Sequence, residues 1–463
     1  MKVIVFFLMA LLLAMQSKAQ PVEGSWYGLL KVQGMEITIV INITPTPEGL
    51  QATMDSPDQG AFDIPVDEIS FEDGVLRFAI RSVAMQYSGT LKEGIIEGTF
   101  TQAGMDLPLD LGREKPDKQT LVRPQEPQPP FPYHVEEVFF QNPKAGIRLA
   151  GTLTMPQRQG FFPAVVMITG SGPQNRDEEI FGHKPFKVIA DHLTRHGIAV
   201  LRFDDRGVAQ SEGDFASATS YDFATDVEAA VNYLRTRPEI NRTRIGLIGH
   251  SEGGIIAPIV ASQIPDRIGF IVLMAGTGFR GDVLLLEQQR LIFEVMGMDA
   301  EEIERGRMIN TRVFEMIQHI HDTEILKPAL QSFLEEIFKD DEIPAGLTRE
   351  MYVQQIMAQT TNPWMLTFLR LDPTVYLEKV KAPVLAINGT NDLQVPPDNL
   401  QAIEAALHRG GNTRVTLMEF PGLNHLFQEC ETGDPANYAT IEQTFAPQVL
   451  EKLSTWINAL FAN

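Results

Sequence analysis

The stretch Ile245-Gly246-Leu247-Ile248-Gly249-His250-Ser251-Glu252-Gly253-Gly254 decides the fold. An apolar run enters Gly-x-Ser-x-Gly, and a helix-like run from Ile255 to Val260 leaves it. Strand, sharp turn carrying a serine, then helix is the pattern of a nucleophile elbow. The serine backbone is strained in such a turn, so no bulky side chain fits two positions to either side. Gly249 and Gly253 meet that demand, and Gly254 adds clearance. Gly-x-Ser-x-Gly alone also occurs in plain turns. The flanking strand and helix, and partners later in the chain, separate the two readings.

A serine hydroxyl is a poor nucleophile at neutral pH and needs a base, which in turn needs an orienting acid. After an elbow these follow in the order acid, then histidine. The strand-like run Val384-Leu385-Ala386-Ile387 leads into Asn388-Gly389-Thr390-Asn391-Asp392, so Asp392 is the expected acid. Asp398 is the fallback, inside the next helix start. The base is expected after the last strand, Val415 to Met418. His425, in Pro421-Gly422-Leu423-Asn424-His425, stands there, whereas His408 falls on a helix before that strand. A developing oxyanion needs two preorganised donors. One is expected from the Glu252 backbone N–H. The other is expected from Thr169-Gly170-Ser171-Gly172, with the Ser171 N–H favoured and Gly172 and Gln174 as alternatives. The His250 side chain is expected to point away into the elbow packing. Asp204-Asp205-Arg206-Gly207 reads either as turn chemistry or as support for the elbow, with Arg206 or Asp205 pairing with Glu252.

At 463 residues the chain is long enough for roughly two to three domains. Lys2, the apolar run Val3 to Met15 and Ser17-Lys18-Ala19 read as a secretory signal over 1–19, too short to span a membrane. The expected location is therefore periplasmic or extracellular, and no cysteine follows the run to carry a lipid anchor. The single cysteine, Cys430, cannot form an internal disulfide. The formal charge is −22, or −24 once the leader lysines Lys2 and Lys18 are removed. Such a surface repels nucleic acid and anionic lipid. The sequence sets no oligomeric state.

Residues 20–112 read as a small all-β domain. Ile37, Ile39, Ile41 and Ile43 alternate with Thr38, Val40 and Asn42, and turn signals recur at Glu48-Gly49, Glu72-Asp73-Gly74 and Lys92-Glu93-Gly94. Prolines 116, 124, 127, 129, 130 and 132 mark 113–133 as a semi-rigid linker. From 134 to 463, strands alternate with helices, which implies a mostly parallel sheet covered on both faces. A helical stretch at about 279–371 interrupts that rhythm after the sixth strand. An insertion there lies over the carboxyl edge of the sheet, as a cap above Ser251. His319 and His321 within it have no ligand pattern around them, so neither metal nor cofactor is expected.

Over about 134 to 463 these features resemble the α/β-hydrolase superfamily. The resemblance rests on Gly249-His250-Ser251-Glu252-Gly253-Gly254, Thr169-Gly170-Ser171-Gly172-Pro173-Gln174-Asn175-Arg176-Asp177, Asp204-Asp205-Arg206-Gly207, Asn391-Asp392 and Asn424-His425. Within the superfamily the chain is most similar to bacterial serine esterases with a small N-terminal β domain. That implies carboxylesterase activity on short acyl esters of small molecules, with Ser251, Asp392 and His425 as the triad. Alternatives are a thioesterase, or a peptidase using Glu301, Glu302 and Glu304 to hold a peptide amine. A non-catalytic binding protein on the same fold is the remaining reading.

Overall fold

A computed structural model describes residues 22–462, apart from 33–34, 48, 58–60, 82–84, 103–104, 118–122, 340–342 and 344–347. The leader read at 1–19 and Glu48 of the first turn signal lie outside the described residues. The chain forms two compact units, which divide between residues 119 and 120.

The first unit is all-β. Four antiparallel strands, β1 (Gly24–Val32), β2 (Met35–Thr46), β3 (Gly49–Ser56) and β4 (Ala61–Pro65), form one sheet. Five more form a second: β5 (Glu68–Glu72), β6 (Val75–Ile80), β7 (Met85–Lys92), β8 (Ile95–Gln102) and β9 (Met105–Pro108). Period-two patterning buries one face of each. Ile39, Ile41 and Ile43 from β2 meet Trp26, Leu76, Tyr87 and Ile96 in one core. The turns Asp73-Gly74 and Glu93-Gly94 have positive φ at both central residues, the backbone that matches hairpin twist. Leu111 and Gly112 bridge to Ile96 and Tyr27, stitching the two sheets together.

The second unit holds an eight-stranded sheet in the order β10-β11-β13-β12-β14-β15-β16-β17. In sequence its elements are β10 (His134–Asn142), β11 (Ile147–Met155), β12 (Phe162–Ile168), α1 (Pro185–Arg195), β13 (Ala199–Phe203), α2 (Ser220–Thr236), β14 (Ile240–His250), α3 (Gly253–Gln263) and β15 (Phe270–Met274). Five helices follow: α4 (Gly281–Val295), α5 (Ala300–His319), α6 (Thr323–Ile337), α7 (Arg349–Thr360) and α8 (Pro363–Arg370). The chain then returns through α9 (Thr374–Leu377), β16 (Val384–Gly389), α10 (Asp398–Arg409), β17 (Val415–Phe420) and α11 (Pro447–Ala459). β10 and β11 are an antiparallel hairpin joined antiparallel to β13, and every later pairing is parallel.

Successive strand residues point to opposite faces, and both faces are apolar. Val165, Met167, Ile248 and Val272 pack under α1 and α11, while Val166, Ile168, Leu247 and Ile271 pack under α2, α3 and α10. The chain leaves β12 toward β13 on one side and then crosses to β14 on the other. That reversal opens a crevice at the carboxyl ends of β12 and β14, where open α/β sheets bind ligands. The Pro-rich stretch from Arg123 onward belongs to this unit. The Arg123 guanidinium donates to the carbonyls of Ala439 (2.7 Å), Phe181 (2.9 Å) and Ile441, and Gln125 Oε1 accepts from the N–H of Thr444 and Phe445.

Candidate active site

Ser251 follows the last residue of β14 and precedes α3 by one residue. Its φ is +54°, a left-handed conformation that a non-glycine residue adopts at a cost of about 1–3 kcal/mol. The neighbours show why glycines are required. A Cβ on Gly249 would collide with the Gly253 carbonyl, and one on Gly253 with the Ile168 carbonyl. A Cβ on Gly254 would lie 2.5 Å from the Gly276 backbone. The Ser251 N–H donates to the Met274 carbonyl at 2.9 Å, which anchors the turn to β15.

His425 lies on the loop after β17, and its Nδ1 is 2.8 Å from Asp392 Oδ2, with both side chains buried. The other Asp392 oxygen accepts the backbone N–H groups of Gln394 and Val395, each at 2.9 Å. Those bonds fix the carboxylate plane. An Nδ1–H directed at Asp392 leaves Nε2 as the basic nitrogen. Asn424 shapes the loop: its Oδ1 accepts from the N–H groups of Leu426 and Gln428. Ser251 and His425 line one cavity of about 220 Å³ together with Gly170 and Ser171. Leu284, Leu285 and Gln288 of α4 and Trp364 and Phe368 of α8 form its wall on the side of the insert, and Glu178 and His250 stand in it near Ser251.

The loop after β12 is held by carboxylates. Asp205 accepts the Thr169 hydroxyl at 2.8 Å and the Gln174 N–H at 3.0 Å. Arg176 donates to both oxygens of Asp204, and Asp177 pairs with Arg202. The Gln174 N–H is thereby committed to Asp205, which removes Gln174 as an oxyanion donor. Ser171 lines the cavity. Gly172 sits beside it with φ +95°, and its own position is open. Burial pushes the Asp205 carboxyl well above the usual carboxylate range, against the pull of the Thr169 and Gln174 bonds; Glu252 and Glu178 push it further up.

Two expectations are corrected. Arg206 does not pair with Glu252: its Nε donates to Asp226 at 2.7 Å and it also faces Asp222. Asp226 lies on α2 one turn beyond Asp222, so the charge of Arg206 is matched locally. His250 does not simply point away into packing. Its Nδ1 lies 3.0 Å from Glu178 Oε1 and its Nε2 lies 2.9 Å from the His425 carbonyl, with the two rings 4.8 Å apart. Burial alone would lower the His250 pKa, but the Glu178 carboxylate beside it turns the shift upward. A protonated imidazole satisfies both acceptors, since both nitrogens then donate.

Sequence reasoning missed Glu178, which accepts the Gly170 N–H at 2.7 Å as well as facing His250. It weighed the Glu252 side chain only as a partner of Arg206 or Asp205, and missed its partners Ser220 and Trp364. Glu252 Oε1 accepts the Ser220 hydroxyl at 2.6 Å and the Trp364 indole N–H at 2.9 Å, and the Ser171 hydroxyl is a further partner. Burial lifts the Glu252 carboxyl above the usual range and these three donors pull it back. An invariant spacing could not have revealed Trp364, which stands 112 residues downstream of Glu252. Glu301, Glu302 and Glu304 are exposed on α5, where Glu304 pairs with Arg307. His319 and His321 are also exposed, and Asp398 opens α10. The Cys430 thiol donates to the Gly422 carbonyl.

A strained serine between strand and helix, a buried Asp–His pair and a helical insert above them define a hydrolase-type α/β chain. The chain belongs to the alpha/beta hydrolase fold family, whose sequence model matches residues 163–431. Esterase EstD of Thermotoga maritima is 24% identical over 310 residues, which are 67% of this chain and 65% of that protein. The chain thus spans just under two thirds of that relative. Mitochondrial acyl-coenzyme A thioesterase 2 of Mus musculus is 24% identical over 148 residues, 31% of this chain and 29% of its own. Est1E from Butyrivibrio proteoclasticus, solved with ferulic acid bound, covers 70% of the chain at 19% identity and a TM-score of 0.41.

Proposed function

We propose that the protein is a serine carboxylesterase, exported from the cytoplasm, that cleaves short acyl esters of small molecules. The observation that carries this is the buried Asp392–His425 pair opening on the cavity that Ser251 also lines. Ser251 attacks the ester carbonyl. His425 takes its proton and returns it to the leaving alcohol, and Asp392 holds the imidazole and stabilises it when charged. The backbone N–H groups of Glu252 and Ser171 receive the oxyanion, with Gly172 as the alternative to Ser171. Water then attacks the acyl-enzyme and His425 repeats its role. The esterase name of the Thermotoga relative supports the ester as substrate.

A p-nitrophenyl ester series from acetate to laurate tests this, with wild type beside Ser251→Ala. Hydrolysis lost in the variant, and a serine-directed phosphonate that labels only wild type, is the expected result. Folded wild-type protein inert to every ester would sink it. Thioester cleavage is the second reading, favoured by the likeness to the mouse thioesterase; acetyl-coenzyme A in the same assay separates the two. Export predicts that the mature protein begins at Gln20, which N-terminal sequencing of secreted material reads directly. Among the described residues no helix is long and apolar enough to cross a membrane.

A further inference from the structure

A second cavity, of about 400 Å³, lies on the other side of α4. Phe279, Val283, Leu286 and Arg290 line it from the α4 side, and Pro396 and Asn399 line it from the start of α10. Leu284 is the residue common to this cavity and to the one holding Ser251. The helix therefore acts as a partition. Val283, Leu286 and Arg290 recur at helical spacing toward the outer space, while Leu285 and Gln288 face the inner one. The catalytic cavity, at about 220 Å³, is smaller than the ~300–1,000 Å³ usual for ligand pockets, whereas the outer one falls inside that range.

The chemistry of the outer cavity selects a neutral apolar occupant. Val283 is 48% exposed and Phe279 37%, so apolar surface stands open at its mouth. Its two cations are already matched, Arg290 by Glu287 and Glu294 and Arg307 by Glu304, and the remaining carboxylate in its lining, Asp398 at the start of α10, disfavours an anionic occupant. The far wall is firm, because Asn399 Oδ1 accepts the Gly278 N–H at 2.9 Å and the Thr277 hydroxyl at 3.0 Å.

We infer that the outer cavity is an extension subsite for the acyl chain and that Leu284 sets acyl length by closing it off from Ser251. This deepens the esterase reading and rests on it. A short acyl group stays inside the partition. A longer unbranched chain must displace the Leu284 side chain to reach the apolar space beyond, and truncating that side chain opens the way.

The test is the ratio of kcat/KM for p-nitrophenyl octanoate to that for p-nitrophenyl butyrate, measured within each variant. Leu284→Ala should raise the ratio by at least about tenfold, since each methylene housed in an apolar pocket is worth roughly tenfold or more. Leu284→Val should lie between it and wild type. Val283→Trp fills the outer cavity from a half-exposed position and should return the ratio of Leu284→Ala to near the wild-type value. Leu284 is buried, so the Ala variant could fail to fold; Leu284→Val, with Val283→Trp added to it to return its ratio to the wild-type value, then carries the test. A folded Leu284 variant that turns over butyrate with its ratio within about twofold of wild type would overturn the subsite. Wild type that cleaves neither ester would instead remove the esterase reading, and the subsite with it.

Discussion

The Trp364 indole donates its N–H to Glu252 across 2.9 Å, so one buried carboxyl joins the helical insert to the residue that follows the nucleophile. Ser220 at the start of α2 binds the same oxygen. Glu252 is thus the point where the insert, the elbow and the helix layer beneath the sheet meet. Its backbone N–H is the expected first oxyanion donor, and the bonds to its side chain anchor the residue that carries that donor.

Trp364→Phe tests this bond. Phenylalanine keeps an aromatic ring against Phe368, whose ring lies 5.1 Å away, and removes the N–H together with the second ring of the indole, so Glu252→Gln, which keeps the acceptor, is the reference for the packing loss. The Glu252 carboxyl then stays buried with one donor fewer, at a cost of about 1–3 kcal/mol. Urea unfolding should report that loss, and kcat should fall more than KM rises. Unchanged stability would mean that the indole bond contributes nothing.

Glu252→Gln tests the electrostatics of the same group. Burial raises the Glu252 pKa, so the folded protein keeps a proton that the unfolded chain has already released. Its contribution to stability is full below the ordinary glutamate range and falls as pH rises through the raised value. Glutamine has the same shape, accepts the same two bonds at Oε1 and does not titrate. Melting temperatures measured from about pH 4 upward should therefore show Glu252→Gln gaining on wild type as pH increases. His250 also shifts upward and is the same in both proteins, whereas Asp205 loses the part of its upward shift that the Glu252 charge supplies, which adds to the gain of Glu252→Gln in the same direction. A gap that does not vary with pH would refute the shift.

Asp392→Asn addresses the acid. Asparagine Oδ1 can keep the bonds from the Gln394 and Val395 N–H groups, which turns its amide nitrogen toward His425 Nδ1. That nitrogen must then accept, and the proton moves to Nε2, the wrong tautomer for a base. The fold should survive while kcat falls by about 10⁴-fold. Loss of less than about tenfold would remove Asp392 from the mechanism and bring Asp398 forward.

Much of this site was legible because its signals are local. Gly249, Ser251 and Gly253 announce the elbow through sterics that act within four residues, and Asp392 and His425 stand on the loops after β16 and β17. The alternation of apolar strands with amphipathic helices announced the parallel sheet for the same reason. What stayed hidden depends on long-range pairing. Nothing beside Arg206 distinguishes Asp226 from Glu252 as its partner, because both are acids whose distance is set by how α2 docks on the sheet. Glu178 looked like one more loop acid until the fold brought it against His250. Trp364 lies in an insert whose apolar residues read equally well as its own core, and several, such as Leu330 and Leu334, are that.

Ser251→Gly asks what the elbow costs. The +54° φ of Ser251 is accommodated by the close approach of Gly249 to Gly253 and held by the bond from the Ser251 N–H to Met274. Glycine adopts that conformation without a Cβ penalty, whereas alanine keeps the penalty and loses the hydroxyl. The glycine variant also gains freedom in the unfolded chain, which offsets part of the relief. The balance predicts that Ser251→Gly unfolds at higher urea than Ser251→Ala by about 1 kcal/mol, although neither turns over an ester. If the two inactive variants unfold together, the strain at Ser251 is no larger than the entropy cost of the glycine, and if the glycine variant unfolds first the turn is relaxed. If the glycine variant is more stable, the protein gives up stability at this one residue so that its hydroxyl can stand clear of the sheet.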